Sequence, residues 1–447
     1  MNVPDKSFPS VQPTDAPLPL AELRGHGLRR ALGIVTFAWL FGSVWMTATS
    51  GAPITLFAKN LGATELQFGL LSALPYIASL LSLPASLAVE RTGERKTIFL
   101  WSLYFNRLLW IPIAVLPIWI VSRYGWESSG AAMTVLLILV FVMHAGQAVG
   151  GPAWTSWMAD IVPERSRGKY FSRRRQWGLA SGAIAALAVG WVLDRYARGT
   201  GDAGADGAVV AGSSIAAMTT VLHVCAGIFI VSCVFGLLDI FLFHYVPDIR
   251  KAPRRGMKLI RAMRGPLHDR EFLWFGGFVA TLVFAVSFMG QFVTLYVMQE
   301  VGVRNTGVQL MLLVTPMVAQ FLVLPVWGRA ADRMGKKPVL VLAGIGIAPV
   351  GIGWCLLSSE HVWLGYVLTA LGAVMWTGVE VANLNLVLEM SGSAASRNGN
   401  GEKSGTGSEN TNGGSAYFAV NCIIVNVAGC LGGLASGLIA TWLRDWR

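Results

Sequence analysis

The chain has 447 residues, 54% of them hydrophobic and 13% charged, with a formal net charge of +11 and a mean hydropathy of +0.56. A soluble domain carries about 25% charged residues, so half that share excludes an ordinary water-soluble globule and points to lipid as the solvent. The positive charge does not indicate nucleic acid, because no basic stretch carries the interleaved aromatics on which bases stack.

In chain order, residues 1–28 come first, polar and rich in proline (Pro4, Pro9, Pro13, Pro17, Pro19), and they are expected to be disordered. Eleven apolar runs follow, at about 31–50, 67–88, 97–121, 131–157, 177–194, 215–244, 273–297, 307–327, 338–357, 362–388 and 416–443. Runs of about 20 apolar residues cross a bilayer. They must be helices, since backbone polar groups find no water in hydrocarbon. Thr64-Glu65-Leu66-Gln67 has the spacing of a capping box that opens the second run. The segment 163–175, PERSRGKYFSRRR, is a basic loop suited to lipid headgroups. Residues 196–214 and 391–415 are Gly-rich, low-complexity and expected to be flexible. The basic segment 246–271 joins the sixth and seventh runs and divides the chain in two.

With the N-terminus placed inside and the loops assigned alternately, 27 of the 35 Lys and Arg fall on inside segments. This bias sets the N-terminus in the cytoplasm. The five cysteines (Cys225, Cys233, Cys355, Cys422, Cys430) all lie in apolar runs, are odd in number and include no CxxC. A disulfide framework or zinc site is therefore not expected.

Ionisable groups inside the apolar runs are costly and mark candidate sites. Arg107 lies near the middle of the third run, as a clamp for an anionic solute, a counter-ion or a structural pair. His144 lies mid-run in the fourth, where an imidazole titrates near physiological pH or simply packs. Glu380 lies in the tenth; desolvation favours a neutral carboxyl, so it is a candidate proton carrier. Asp239, near the inner end of the sixth run, is expected to be an interfacial pair partner, and Gln291 a cross-helix hydrogen-bonding group. No Walker A loop, metal-ligand cluster or nucleophile–base pair occurs, so neither an ATP-driven pump nor an enzyme is expected, and no metal or cofactor is called for.

The two parts repeat. Ser86, Glu90, Arg91, Gly93 and Arg95 recur as Gly328, Asp332, Arg333, Gly335 and Lys337, each 242 positions later (328 − 86 = 242). More weakly, Asp160 followed by Tyr170-Phe171 matches Glu389 followed by Tyr417-Phe418. The eleventh run then lines up with the fifth, and the sixth run has no partner before Arg447, so a twelfth helix is expected to be missing. Repeated halves are an architecture of secondary transporters.

The doubled pattern resembles motif A of the major facilitator superfamily. The copy at 328–338 fits it well, and the copy at 86–96 departs with Ser86 for glycine and Glu90 for aspartate. The resemblance covers nearly the whole chain. It implies an all-α membrane fold of two six-helix halves related by a pseudo-two-fold repeat, here 29–245 and 272–447. It implies a latch between the halves, with Glu90 and Arg91 engaging the start of the eleventh span and the end of the fourth, where Asp160 sits; Glu389 holds the matching end of the tenth. It also implies a cavity lined by the first, fourth, seventh and tenth spans, hence by Trp45, Thr47, His144, Gln147, Gln291, Thr294, Trp376 and Glu380.

The expected function is secondary active transport of a small polar solute, anionic where Arg107 clamps it, by rocker-switch alternating access. The expected setting is a bacterial cytoplasmic (inner) membrane, with a proton gradient as energy source, lipid and the solute as partners, and a monomeric chain. An uncoupled facilitator and a non-transporting receptor or assembly protein of the same fold are the alternatives.

Overall fold

The computed structural model describes residues 26–197, 211–248, 264–398 and 410–445. Most of the Pro-rich N-terminus, parts of the 196–214 and 246–271 loops and the middle of the 391–415 insert lie outside the described residues. Eleven helices are long and apolar enough to cross a membrane. They are span 1 (Gly27–Asn60), span 2 (Glu65–Thr92), span 3 (Arg95–Tyr124), span 4 (Trp126–Ile161), span 5 (Tyr170–Tyr196), span 6 (Ile215–Tyr245), span 7 (Arg270–Gln299), span 8 (Asn305–Met334), span 9 (Lys336–Trp354), span 10 (Ser359–Val387) and span 11 (Ala416–Arg444). The insert is shorter than its composition suggests. Helix continues to Asn398 and resumes at Asn410, inside the segment 391–415.

Local chemistry sets the helix ends. The Thr64 hydroxyl accepts from Gln67 N at 3.3 Å, and Gln67 Oε1 accepts from Thr64 N at 2.9 Å, so the capping box is formed. Both motif turns depend on glycine. Gly93 has φ 70 and Gly335 φ 88, in a region that a side chain would strain, and each lets a span end and the next start within three residues. Two spans are broken. Gly51 (φ 68) splits span 1 after Ala48, and span 7 kinks at Gly290 (φ 32, ψ −126).

In lipid, apolar burial does little to drive helix association, so close packing carries it. In the first half, Phe229 of span 6 stacks against Phe57 and Trp110, with ring centroids 5.5 and 4.9 Å apart. Span 6 thereby fills the groove between spans 1 and 3. Among the described residues no helix lies between spans 7 and 9 in the corresponding way.

The halves meet closely at the end away from the motif turns, which is the outer end in the orientation expected from the charge bias. A Cβ on Gly69 would lie 2.6 Å from Gly433 O and from Gly437 Cα, so spans 2 and 11 touch backbone to backbone. Glu65 pairs with Arg444 at 2.8 Å beside them. Spans 5 and 8 meet through Asp194. Its carboxylate accepts from Asn305 N (2.8 Å), Thr306 N (3.0 Å) and Thr306 Oγ1 (2.6 Å). Nearer the motif turns, Ser82–Thr92 of span 2 packs mainly on span 4, with Ser82 Oγ 4.0 Å from Cys422 Sγ of span 11.

Candidate functional site: a neutral cavity and a separate ionic cluster

A cavity of about 850 Å³ lies where span 2 meets spans 7, 8, 9 and 10. The kink of span 7 forms one wall. Gly290 lacks the side chain that would meet Ser72 Oγ at 2.6 Å, and the Ser72 hydroxyl accepts from Gln291 N at 3.1 Å across the halves. Gln291 Oε1 accepts from Thr55 Oγ1 at 2.6 Å, which ties the outer piece of span 1 to the same point. Trp376 stands on span 10 and donates Nε1–H to Glu380 one turn on, at 3.0 Å. The lining includes no Asp, Glu, Lys, Arg or His. Its polar groups are neutral: Ser72, Tyr76, Ser287, Gln291, Gln320, Thr369 and Trp376. Several are spent on the protein itself. Thr369 Oγ1 donates to Gly365 O at 2.9 Å, and Gln320 Oε1 accepts from Arg175 at 3.1 Å. Ser287 also borders the cavity, and its Oγ is buried without a hydrogen-bond partner.

Of the residues singled out in the sequence, the structure brings Gln291 and Trp376 to this cavity. Glu380 is exposed and touches it only through Trp376. Arg107 and Gln147 lie together elsewhere, in the first half, and His144 is half-buried with no side-chain hydrogen bond among the described residues. Arg107 is 4% exposed. Its guanidinium carbon lies 3.3 Å from the centre of the Trp45 ring, Nη1 donates to Asn106 Oδ1 at 2.5 Å and reaches Gln147 Oε1 at 3.5 Å, and Nη2 reaches Asp239 Oδ2 at 3.5 Å. Arg107 thus lies against Asp239 and is not among the residues lining this cavity.

The motif residues divide by role. Arg95 pairs with Asp160 at the inner end of span 4, largely out of solvent. In the second half the pairing moves one residue: Lys336, not Lys337, holds Glu389 at 2.9 Å, while Lys337 lies 3.9 Å from Glu271. Glu90, Arg91, Asp332 and Arg333 are exposed and make no side-chain bond among the described residues. Ser86 donates to its own helix at Leu83 O, and at Gly328 a Cβ would meet nothing within 4 Å. The side chains of residues 410–415, at the start of span 11, lie outside the described residues.

Sequence reasoning missed Thr55, Ser72, Gly290 and Asp194. The available signals were weak: a Gly-Ala-Pro break at 51–53, and a glycine beside Gln291. The partners lie in other spans, beyond the reach of helical periodicity.

The model of the Major Facilitator Superfamily matches residues 34–433. No curated protein sequence matches the chain. Among solved structures, a bacterial homologue of the iron transporter ferroportin, in an inward-facing state, superposes with a TM-score of 0.56 at 15% identity, covering 93% of this chain and 98% of that one. A nucleoside transporter gives 0.60 at 12% identity, covering 92% and 91%. A D-xylose–proton symporter gives 0.54 at 16% identity, covering 91% and 95%. At such identities the likeness speaks to the fold alone. With eleven membrane-length helices, the doubled motif and a family match over nine-tenths of its length, the chain is a multi-pass membrane protein that belongs to the Major Facilitator Superfamily.

Proposed function

We propose that the protein is a secondary transporter that carries an uncharged organic solute by alternating access, coupled to a proton gradient, in a bacterial inner membrane with its N-terminus in the cytoplasm. The observation that carries this reading is the cavity of about 850 Å³, walled by both halves, apolar, and furnished only with neutral hydrogen-bonding groups. An anionic solute would need a cation at the wall; none is among the lining residues, and Arg107 lies against Asp239. An apolar site with a few neutral donors and acceptors selects by shape and by unpaired polar groups rather than by charge. Among its fold neighbours are a nucleoside transporter and a D-xylose–proton symporter, whose solutes are themselves neutral.

Ligand binding to the folded state raises apparent stability. The test is thermal stabilisation of the purified chain against nucleosides, sugars, neutral amphiphiles, amino acids and carboxylates. The expected result is stabilisation by uncharged compounds, weakened in Gln291→Leu and Trp376→Ala. Stabilisation by carboxylates alone, lost in Arg107→Gln, would refute the neutral-solute reading. Stabilisation by nothing, from a well-folded sample, would favour a non-transporting receptor.

A further inference from the structure

We propose that Asp239, held between Arg107 and span 1, is the proton-binding group of this protein, placed in the first half and apart from the solute cavity. The inference rests on the coupled-transport reading for its purpose and on the cluster's geometry for its location.

The pair is not built as a structural bridge. A stabilising Arg–carboxylate pair in a dry interior makes two short parallel bonds and leaves no polar atom over. Here one contact of 3.5 Å joins Arg107 Nη2 to Asp239 Oδ2, while Asp239 Oδ1 and Arg107 Nε have no partner, and both residues are 4% exposed. Trp45 Nε1, on span 1 beside Arg107, is also buried without a partner. Unpaired polar atoms concentrated at one buried point mark a place for a proton and its water.

Arg107 has other holds besides the carboxylate. The Trp45 ring, Asn106 Oδ1 and Gln147 Oε1 contact the guanidinium when Asp239 is neutral. A proton can therefore arrive at Asp239 without stranding a bare cation. The groups facing Asp239 are few. Span 3 presents Arg107 and span 5 presents Arg174, whose guanidinium lies 4.3 Å from the Trp39 ring and 4.9 Å from that of Trp154. Span 1 presents only Gly42 and Trp45, and Cys233 on span 6 donates to the Arg107 carbonyl at 3.2 Å. Two glycines make the room. A Cβ on Gly42 would lie 2.6 Å from Asp239 Oδ2, and one on Gly236 would lie 2.5 Å from Arg107 Cδ and 2.8 Å from Trp45 Cδ1.

The fold does not require this pair. At the repeat offset of 242, Trp45 corresponds to Ser287 and Arg107 to Pro349, so the second half uses neither residue. There the equivalent position borders the neutral cavity instead, through Ser287. Span 1 connects the two places. Trp45 precedes the break at Gly51, and Thr55 beyond it bonds Gln291 at the cavity wall. Release of Arg107 from Asp239 would press on Trp45 and hence on the segment that holds Gln291.

The test is pH-difference infrared spectroscopy of the purified full chain. Acidification should raise the C=O stretch of a protonated carboxylic acid, absent in Asp239→Asn and displaced in frequency in Asp239→Glu, which keeps the acid and guards against a folding defect. Identical spectra for wild type and Asp239→Glu would overturn the proposal. The band needs no solute. A chain that shows it but accumulates nothing sinks the transporter reading alone, and one that accumulates solute with no band from Asp239 sinks this inference alone.

Discussion

Asp194 of span 5 caps the start of span 8 from the other half of the molecule, and its removal should tip the conformational balance. The first helical N–H groups of span 8 have no cap of their own, since Arg304 at the N-cap makes no side-chain bond. Asp194 satisfies two of them, along with the Thr306 hydroxyl, at 2.6–3.0 Å. When the outer end opens, water takes over these groups, so the bonds favour only the closed form. Loss of a carboxylate cap costs about 0.5–2 kcal/mol, and about 1.4 kcal/mol is tenfold in an equilibrium. Asp194→Ala should therefore lower the outward-closed population, relative to the open one, by about twofold to thirtyfold. Asp194→Asn, which keeps one acceptor oxygen, should do less. Spin labels at Tyr196 and Glu300, both exposed at the outer ends of spans 5 and 7, report the separation of the halves. An unchanged distance distribution in Asp194→Ala would refute the argument that this cap holds the outer end shut.

The second seam makes a steric prediction. Gly69→Val places carbon where Gly433 O and Gly437 Cα already sit, so the same labels should move apart and solute uptake should fail. For the ionic cluster, Arg107→Ala removes the guanidinium nearest Asp239 and should lower the unfolding temperature. Arg107→Met with Asp239→Leu should recover most of that stability in thermal unfolding; equal loss in the single and double variants would contradict it. At the inner end, Arg95→Ala should lower the unfolding temperature more than Lys336→Ala. The Arg95–Asp160 side chains are 12% and 13% exposed against 36% and 56% for Lys336–Glu389, and an exposed pair contributes about 0–1 kcal/mol. Equal effects would mean that burial does not distinguish the two.

Much of the architecture is legible in the amino acids alone, for a local reason. Whether a run of residues prefers lipid to water depends on the run itself, so hydropathy located all eleven spans, most to within a few residues of their observed ends; span 1 runs ten residues further, to Asn60, and span 8 seven further, to Met334, while span 5 starts seven earlier, at Tyr170. The Thr64–Gln67 capping box, the glycine turns at Gly93 and Gly335, and the 242-residue repeat are likewise written in short stretches. A contact at helical spacing, such as Trp376 with Glu380, is within reach of the same reasoning. The site was not legible, because its contacts are separated by 132 residues (Arg107–Asp239), 236 residues (Thr55–Gln291) and 111 residues (Asp194–Asn305). A polar residue in an apolar span announces that it needs a partner, since hydrocarbon supplies none. Which partner it finds depends on how the helices cross and rotate, and that is decided by close packing at residues such as Gly42, Gly236 and Gly69, whose role shows only once the neighbouring helix is in place. The sequence by itself determined that this chain spans a membrane as two repeated halves with charges to hide. Only the tertiary structure decided that Arg107 lies against Asp239, and that the cavity bordered by both halves is lined by neutral groups.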